Sequence, residues 1–267
     1  MGSGPGLVVL HGTMSSAENH GELAGHLADV FTVTIPDRRG RGESGAYPAD
    51  YGLRTEVEDL EAVLAATDST NVLGVSSGAI IGLEAARGGS LIHRLVAFEP
   101  PLFEDPDVPN GVLVRFEAEL DRGRLPRALA VAMKGAEMGP PILNRLPVGL
   151  VAGLTSLAMR QESRKPGDGY LPMATPGPLL RYDLRLVAEA NRPADRFADV
   201  ATDLMLLGGS RSPAYLRRAL DRLDRTLSGS RRVELPGLDH TATWDTDLRG
   251  NPRPVADAVR SFLAPTA

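Results

Sequence analysis

The sequence predicts an α/β fold with a mostly parallel sheet and helices on both faces. Three observations carry that prediction. Short apolar, β-branched runs alternate with stretches of helical period in the N-terminal part of the chain and again near its C-terminus. The runs are apolar on both faces, as strands covered on both sides must be. Each is followed by a stretch long enough for the crossover that parallel pairing requires.

The first predicted strand is LVVL, Leu7–Leu10, and the second is FTVTI, Phe31–Ile35. His20 and His26 fall in a predicted surface helix between them. TEVEDLEAVLAAT then sets Val57, Leu60 and Leu64 on one helical face, with Thr55 and Glu58 as a capping box at its start. NVLGV, Asn71–Val75, and RLVAF, Arg94–Phe98, are the third and fourth strands. The pattern resumes with LMLLGG, Leu204–Gly209, followed by a helix with Ser212 as its N-cap and Pro213 in its first turn. RRVEL, Arg231–Leu235, is the last strand, and NPRPVADAVRSFL is a closing helix with Val255, Val259 and Phe262 inward.

Between these halves the rhythm breaks. Amphipathic pieces LVRFEAEL, LPRALAVAMKG and LPVGLVAGLTSLAMR are separated by EMGPP and the loop RKPGDGYLPMATPGP. A long insertion between strands of a parallel sheet stands over their carboxyl ends, where ligands bind. Residues 1–103 and 196–267 are therefore expected to form the core, and residues 104–195 a helical lid.

Composition narrows the function. Hydrophobic residues at 42% and charged residues at 24% suffice for a buried core and speak against disorder. A net charge of −5 with scattered basic residues gives no stripe for nucleic acid. The absence of cysteine removes disulfides and thiolate metal sites. The N-terminal apolar run is too short for a signal peptide or membrane span, so the expectation is a cytoplasmic protein without a membrane partner.

Chemistry enters at NVLGVSSGAII, where Gly74-Val75-Ser76-Ser77-Gly78 fits G-x-S-x-G between a strand and a helix. In so sharp a turn the central residue is strained, and the positions two before and two after must be small. With Ser76 central both flanks are glycine; with Ser77 central one would be Val75. Ser76 is the candidate nucleophile, and the N–H of Ser77 at the helix start is a candidate oxyanion donor.

Three further stretches resemble the α/β-hydrolase superfamily. VVLHGTMSS ends the first strand with His11-Gly12, and the resemblance draws the second oxyanion donor from Thr13, with Met14 as the alternative. IPDRRGRGESG resembles the family's Asp-x-Arg-Gly-x-Gly-x-Ser loop, in which Asp37, Arg38 and Arg39 brace the site. VELPGLDHTAT places His240 after the last strand, where the family's general base sits; among five histidines only this one comes late enough for the order Ser, acid, His. The resemblance covers both halves of the core and not the lid. It implies an α/β-hydrolase fold with the first strands of the family's sheet shortened or absent and a helical lid inserted.

The acid departs from the family pattern. GGSRSP follows the strand ending at Gly209, and Ser212 holds the expected aspartate position. Some relatives supply the acid from the preceding strand, where VAFEPP offers Glu99. Glu99 could instead pair with Arg38 or Arg39, Asp239 adjoins His240, and a Ser-His dyad without acid stays open. The expected activity is hydrolysis of an ester, thioester or lactone through an acyl-enzyme on Ser76, with no metal or organic cofactor. Lyase, cyclase or acyl-transfer chemistry and a ligand receptor with little turnover are the alternatives. Met14, Phe116, Leu157 and Tyr170 are the expected substrate contacts, on a small acyl molecule, in a monomer or homodimer.

Overall fold

The computed structural model describes residues 1–162 and 173–264. Among these, six strands form one sheet: β1 (Gly6–Leu10), β2 (Thr32–Thr34), β3 (Asn71–Val75), β4 (Arg94–Phe98), β5 (Asp203–Gly209) and β6 (Arg231–Leu235). Their order is β2-β1-β3-β4-β5-β6, and every neighbouring pair is parallel. The chain divides into two compact units, one of residues 1–102 with 192–267 and one of residues 103–191.

The sheet belongs to the first unit. Alternate strand residues Leu7, Val9, Leu73, Val75, Val96, Phe98, Met205 and Leu207 join one buried cluster with α1 (Gly21–Leu27) and α10 (Pro252–Leu263). On the opposite face Gly82 of α3 (Ser77–Arg87) comes so near the sheet that a methyl there would lie 2.9 Å from Leu95 and 3.8 Å from Val72. Burial on both faces explains why these strands read as unbroken apolar runs.

Five expectations are corrected. β2 is shorter than FTVTI because the N–H of Phe31 bonds the carbonyl of Leu27 at the end of α1 and cannot join the ladder. α2 (Leu53–Thr67) begins before Thr55, with Gly52 at its N-cap, so no Thr55–Glu58 capping box forms. Its first turn is fixed instead by Glu56, buried beside Leu60 and Leu64 where Val57 was expected. In α9 (Ala214–Thr226) the N-cap is Pro213 and not Ser212, whose Oγ is buried without a hydrogen-bond partner among the described residues. The chain from Gly209 to Ser212 is already held by backbone bonds, including Arg211 N–H to Leu238 O at 2.8 Å. In α10 the last inward residue is Leu263, with Phe262 only partly buried.

The second unit is helical: α4 (Asp107–Asp121), α5 (Leu125–Gly135), α6 (Pro141–Arg145), α7 (Val148–Glu162) and α8 (Leu180–Ala190). α4 and α5 approach closely at Gly135, where a methyl would lie 2.4 Å from Val112. Its two ends meet, since the N–H of Phe103 donates to Asn191 Oδ1 at 2.7 Å. No helix among the described residues is long and apolar enough to cross a membrane.

Candidate active site

Parallel strands end on one edge, and the register of β3, β4 and β5 decides what meets there. Val75 pairs with Phe98 and Phe98 with Leu207. The next residues continue the ladder: Ser76 N–H donates to Phe98 O at 2.8 Å, and Glu99 N–H to Leu207 O at 3.1 Å. Ser76 and Glu99 thus sit on adjacent strand ends before either side chain is considered.

Ser76 stands between β3 and α3 with φ 54° and ψ −118°, a conformation few side chains tolerate. The flanking glycines are required by space. A methyl on Gly74 would lie 2.6 Å from the backbone of Ala79, and one on Gly78 2.2 Å from the carbonyl of Leu10. Gly12 completes the crowding, because its methyl would come within 2.9 Å of Ser76 Cβ. Only glycine lets β1, the turn and α3 converge this tightly.

His240 follows β6 and faces both groups. Its Nε2 lies 3.1 Å from Ser76 Oγ and its Nδ1 2.6 Å from Glu99 Oε2. A carboxylate only accepts, so Nδ1 carries the proton and Nε2 is free to accept from the hydroxyl. Glu99 is fully buried, also at positive φ (49°), and its other oxygen accepts the Gly209 N–H at 2.6 Å. The three side chains form one hydrogen-bonded line, with His240 only 18% exposed.

The competing partners are engaged elsewhere. Arg38 forms a buried bidentate pair with Glu56, and Arg39 pairs with Asp59. Asp239 Oδ1 accepts the N–H and hydroxyl of Thr241, closing a turn. Asp37 accepts the N–H of Ala17 at 2.8 Å. Arg38 Nη1 donates to Ser77 Oγ at 3.0 Å, and Thr13 Oγ1 donates to the same oxygen at 3.3 Å. The two candidate oxyanion residues are thereby tied together beside Ser76.

His11 accepts the N–H of Arg38 on Nε2, and burial with Arg38 and Arg41 nearby holds its pKa well below the usual range. His20 differs from the surface position expected of it. It is fully buried, its Nδ1 donates to Thr243 O at 2.8 Å, and burial lowers its pKa to about 4. It pins the loop that follows His240, a role with no local sequence signal because the contact spans 223 residues. Met14, in the loop after β1, has φ 56°; Phe116 is fully buried in α4, and Leu157 on α7 is 54% exposed. Tyr170 lies outside the described residues. No group of three or more His, Asp or Glu among the described residues is arranged to hold a metal ion.

Residues 7–258 match the family described as the Alpha/beta hydrolase family. A solved α/β hydrolase from Sphaerobacter thermophilus is similar over 98% of this chain and 94% of its own, with 31% identity and a TM-score of 0.76. An esterase from Thermogutta terrifontis shares the fold at a TM-score of 0.71 and 18% identity, over 98% of this chain and 90% of its own. An uncharacterized hydrolase, YraK, of Bacillus subtilis is 35% identical over 108 residues, which is 39% of this chain and 40% of that protein. The chain spans 29% to 40% of the length of the curated relatives it matches.

Proposed function

The chain belongs to the Alpha/beta hydrolase family, and from that premise we propose that it cleaves an ester, thioester or lactone through an acyl-enzyme on Ser76. The single observation that carries this is the line Ser76 Oγ, His240 Nε2, His240 Nδ1, Glu99 Oε2, with spacings of 3.1 and 2.6 Å. Ser76 attacks the acyl carbonyl as its proton passes to Nε2. Glu99 holds the tautomer and stabilises the imidazolium that forms. The N–H groups of Ser77 and Thr13 take the oxyanion, each worth about 3 kcal/mol of barrier. His240 then protonates the leaving group, and in the second half it activates the water that frees the acid.

Arg38 supports this arrangement from behind, holding Ser77 by its hydroxyl. In this reading the helical insertion of residues 104–195 acts as the lid that selects the substrate, while Phe116, fully buried in α4, is taken up by packing rather than by substrate. One matched relative is named a pyrrolizixenacetamide deacetylase of Xenorhabdus hominickii, 37% identical over 103 residues, so acyl amides join the candidate substrates.

The test is a screen of short and long acyl esters, thioesters, lactones and acetamides with wild type beside Ser76→Ala. Covalent labelling by a fluorophosphonate, lost in Ser76→Ala, together with turnover of one acyl class, is the expected result. Turnover that persists in Ser76→Ala, or a serine that never labels, overturns it.

A further inference from the structure

The carboxyl end of β5 carries two adjacent glycines, and neither has a positive φ, so backbone freedom does not explain them. Space does. A methyl on Gly208 would lie 2.9 Å from Glu99 Oε1 and 3.1 Å from Glu99 Cγ, with Leu220 Cδ1 at 2.6 Å. A methyl on Gly209 would lie 2.3 Å from the carbonyl of Leu238, two residues before His240. The first glycine clears room for the acid and the second for the loop that delivers the base.

Gly209 does more than stand aside. The terminal torsion of a glutamate is soft, so one hydrogen bond to His240 leaves the carboxylate free to rock. Gly209 N–H at 2.6 Å fixes the second oxygen and with it the plane of the group. This bond follows from the register, because Phe98 pairs with Leu207 and the next residues of β4 and β5 therefore stand side by side.

We infer that Gly208 and Gly209 are positioning residues that form a seat for Glu99. The strand expected from the family pattern to carry the acid ends instead in two residues without side chains, which leaves room for a carboxylate from its neighbour. This inference rests on the role proposed above for Glu99.

The test is a double-mutant cycle on Gly208→Ala and Glu99→Ala. Its readouts are the second-order rate of Ser76 labelling by a fluorophosphonate and, on an ester that is turned over, kcat and KM separately. Gly208→Ala should slow labelling and kcat by about 100-fold, the cost of a misplacement of roughly 1 Å, with KM unchanged. Glu99→Ala should lose about 10⁴-fold. The double variant should match Glu99→Ala, because with the carboxylate gone the added methyl has nothing left to displace in the relay. Losses that multiply, or a Gly208→Ala enzyme as fast as wild type beside a slow Glu99→Ala, overturn the seat alone. A fast Glu99→Ala overturns the acid assignment and the seat with it. If Gly208→Ala fails to fold because of Leu220, the same cycle built on Leu220→Ala, which removes the 2.6 Å contact, gives the answer.

Discussion

Replacing Glu99 with glutamine changes one atom and reverses a proton. Gly209 N–H donates to Oε1, so an amide at position 99 satisfies it by turning its oxygen that way. Its NH2 group then faces Nδ1 of His240, which must become an acceptor. The ring proton moves to Nε2, and the base can no longer accept from Ser76. Flipping the amide restores the tautomer but sets two buried donors against each other at Gly209, costing about 1–3 kcal/mol. The variant also loses a negative charge beside the imidazolium, worth about 4 kcal/mol at a separation of roughly 4 Å and an effective dielectric of about 20. Together these come to about 5–7 kcal/mol, or about 10⁴–10⁵-fold in kcat. The assay is steady-state hydrolysis of a chromogenic ester, with Ser76→Ala as the blank and thermal unfolding to show that the fold is intact. A Glu99→Gln enzyme within about tenfold of wild type would refute the reasoning, since general-base assistance alone is worth more than that.

Arg38→Met strands Glu56 in the interior and should cost about 3–5 kcal/mol of stability by urea denaturation. Arg38→Met with Glu56→Leu should recover most of that stability and none of the accompanying loss in kcat, because Ser77 still lacks the Arg38 hydrogen bond. His20 has its folded pKa near 4 against an ordinary 6.5. The unfolded chain therefore binds a proton in that window while the folded one does not, so stability is complete above pH 6.5 and falls as the pH drops toward 4. The loss from this residue is about 3 kcal/mol, read as a falling urea midpoint that flattens in His20→Gln; a midpoint constant over that range in wild type contradicts the burial argument. Ser212→Ala should leave the melting temperature unchanged or slightly raised, since a buried hydroxyl without a partner is removed; a drop of about 1 kcal/mol would mean that it caps α9 after all.

Much of the fold was legible because parallel strands announce themselves as short apolar runs, and β3, β4 and β6 begin and end at the residues the runs mark. Ser76 was legible for a steric reason: its two glycines and the strand before it are local. Errors arose where a long-range partner outweighed a local preference. Glu56 fixes the start of α2 through Arg38, against the cap that Thr55 offered. Leu27 takes the N–H of Phe31 and shortens β2, and Thr243 draws His20 inside. Glu99 is the acid the sequence favours, from its place at the end of the strand beside β3, but the β4–β5 register and the two glycines that set its carboxylate against Gly209 look, in sequence, like a turn.

The hydrogen bond from Phe103 to Asn191 means that the helical unit leaves the chain and rejoins it at one gate. Strands β4 and β5 pair across that gate as though nothing intervened. Everything between is a cassette hung from a closed loop of backbone. A change in its length or sequence therefore leaves intact the β4–β5 register that sets Glu99 beside Gly209.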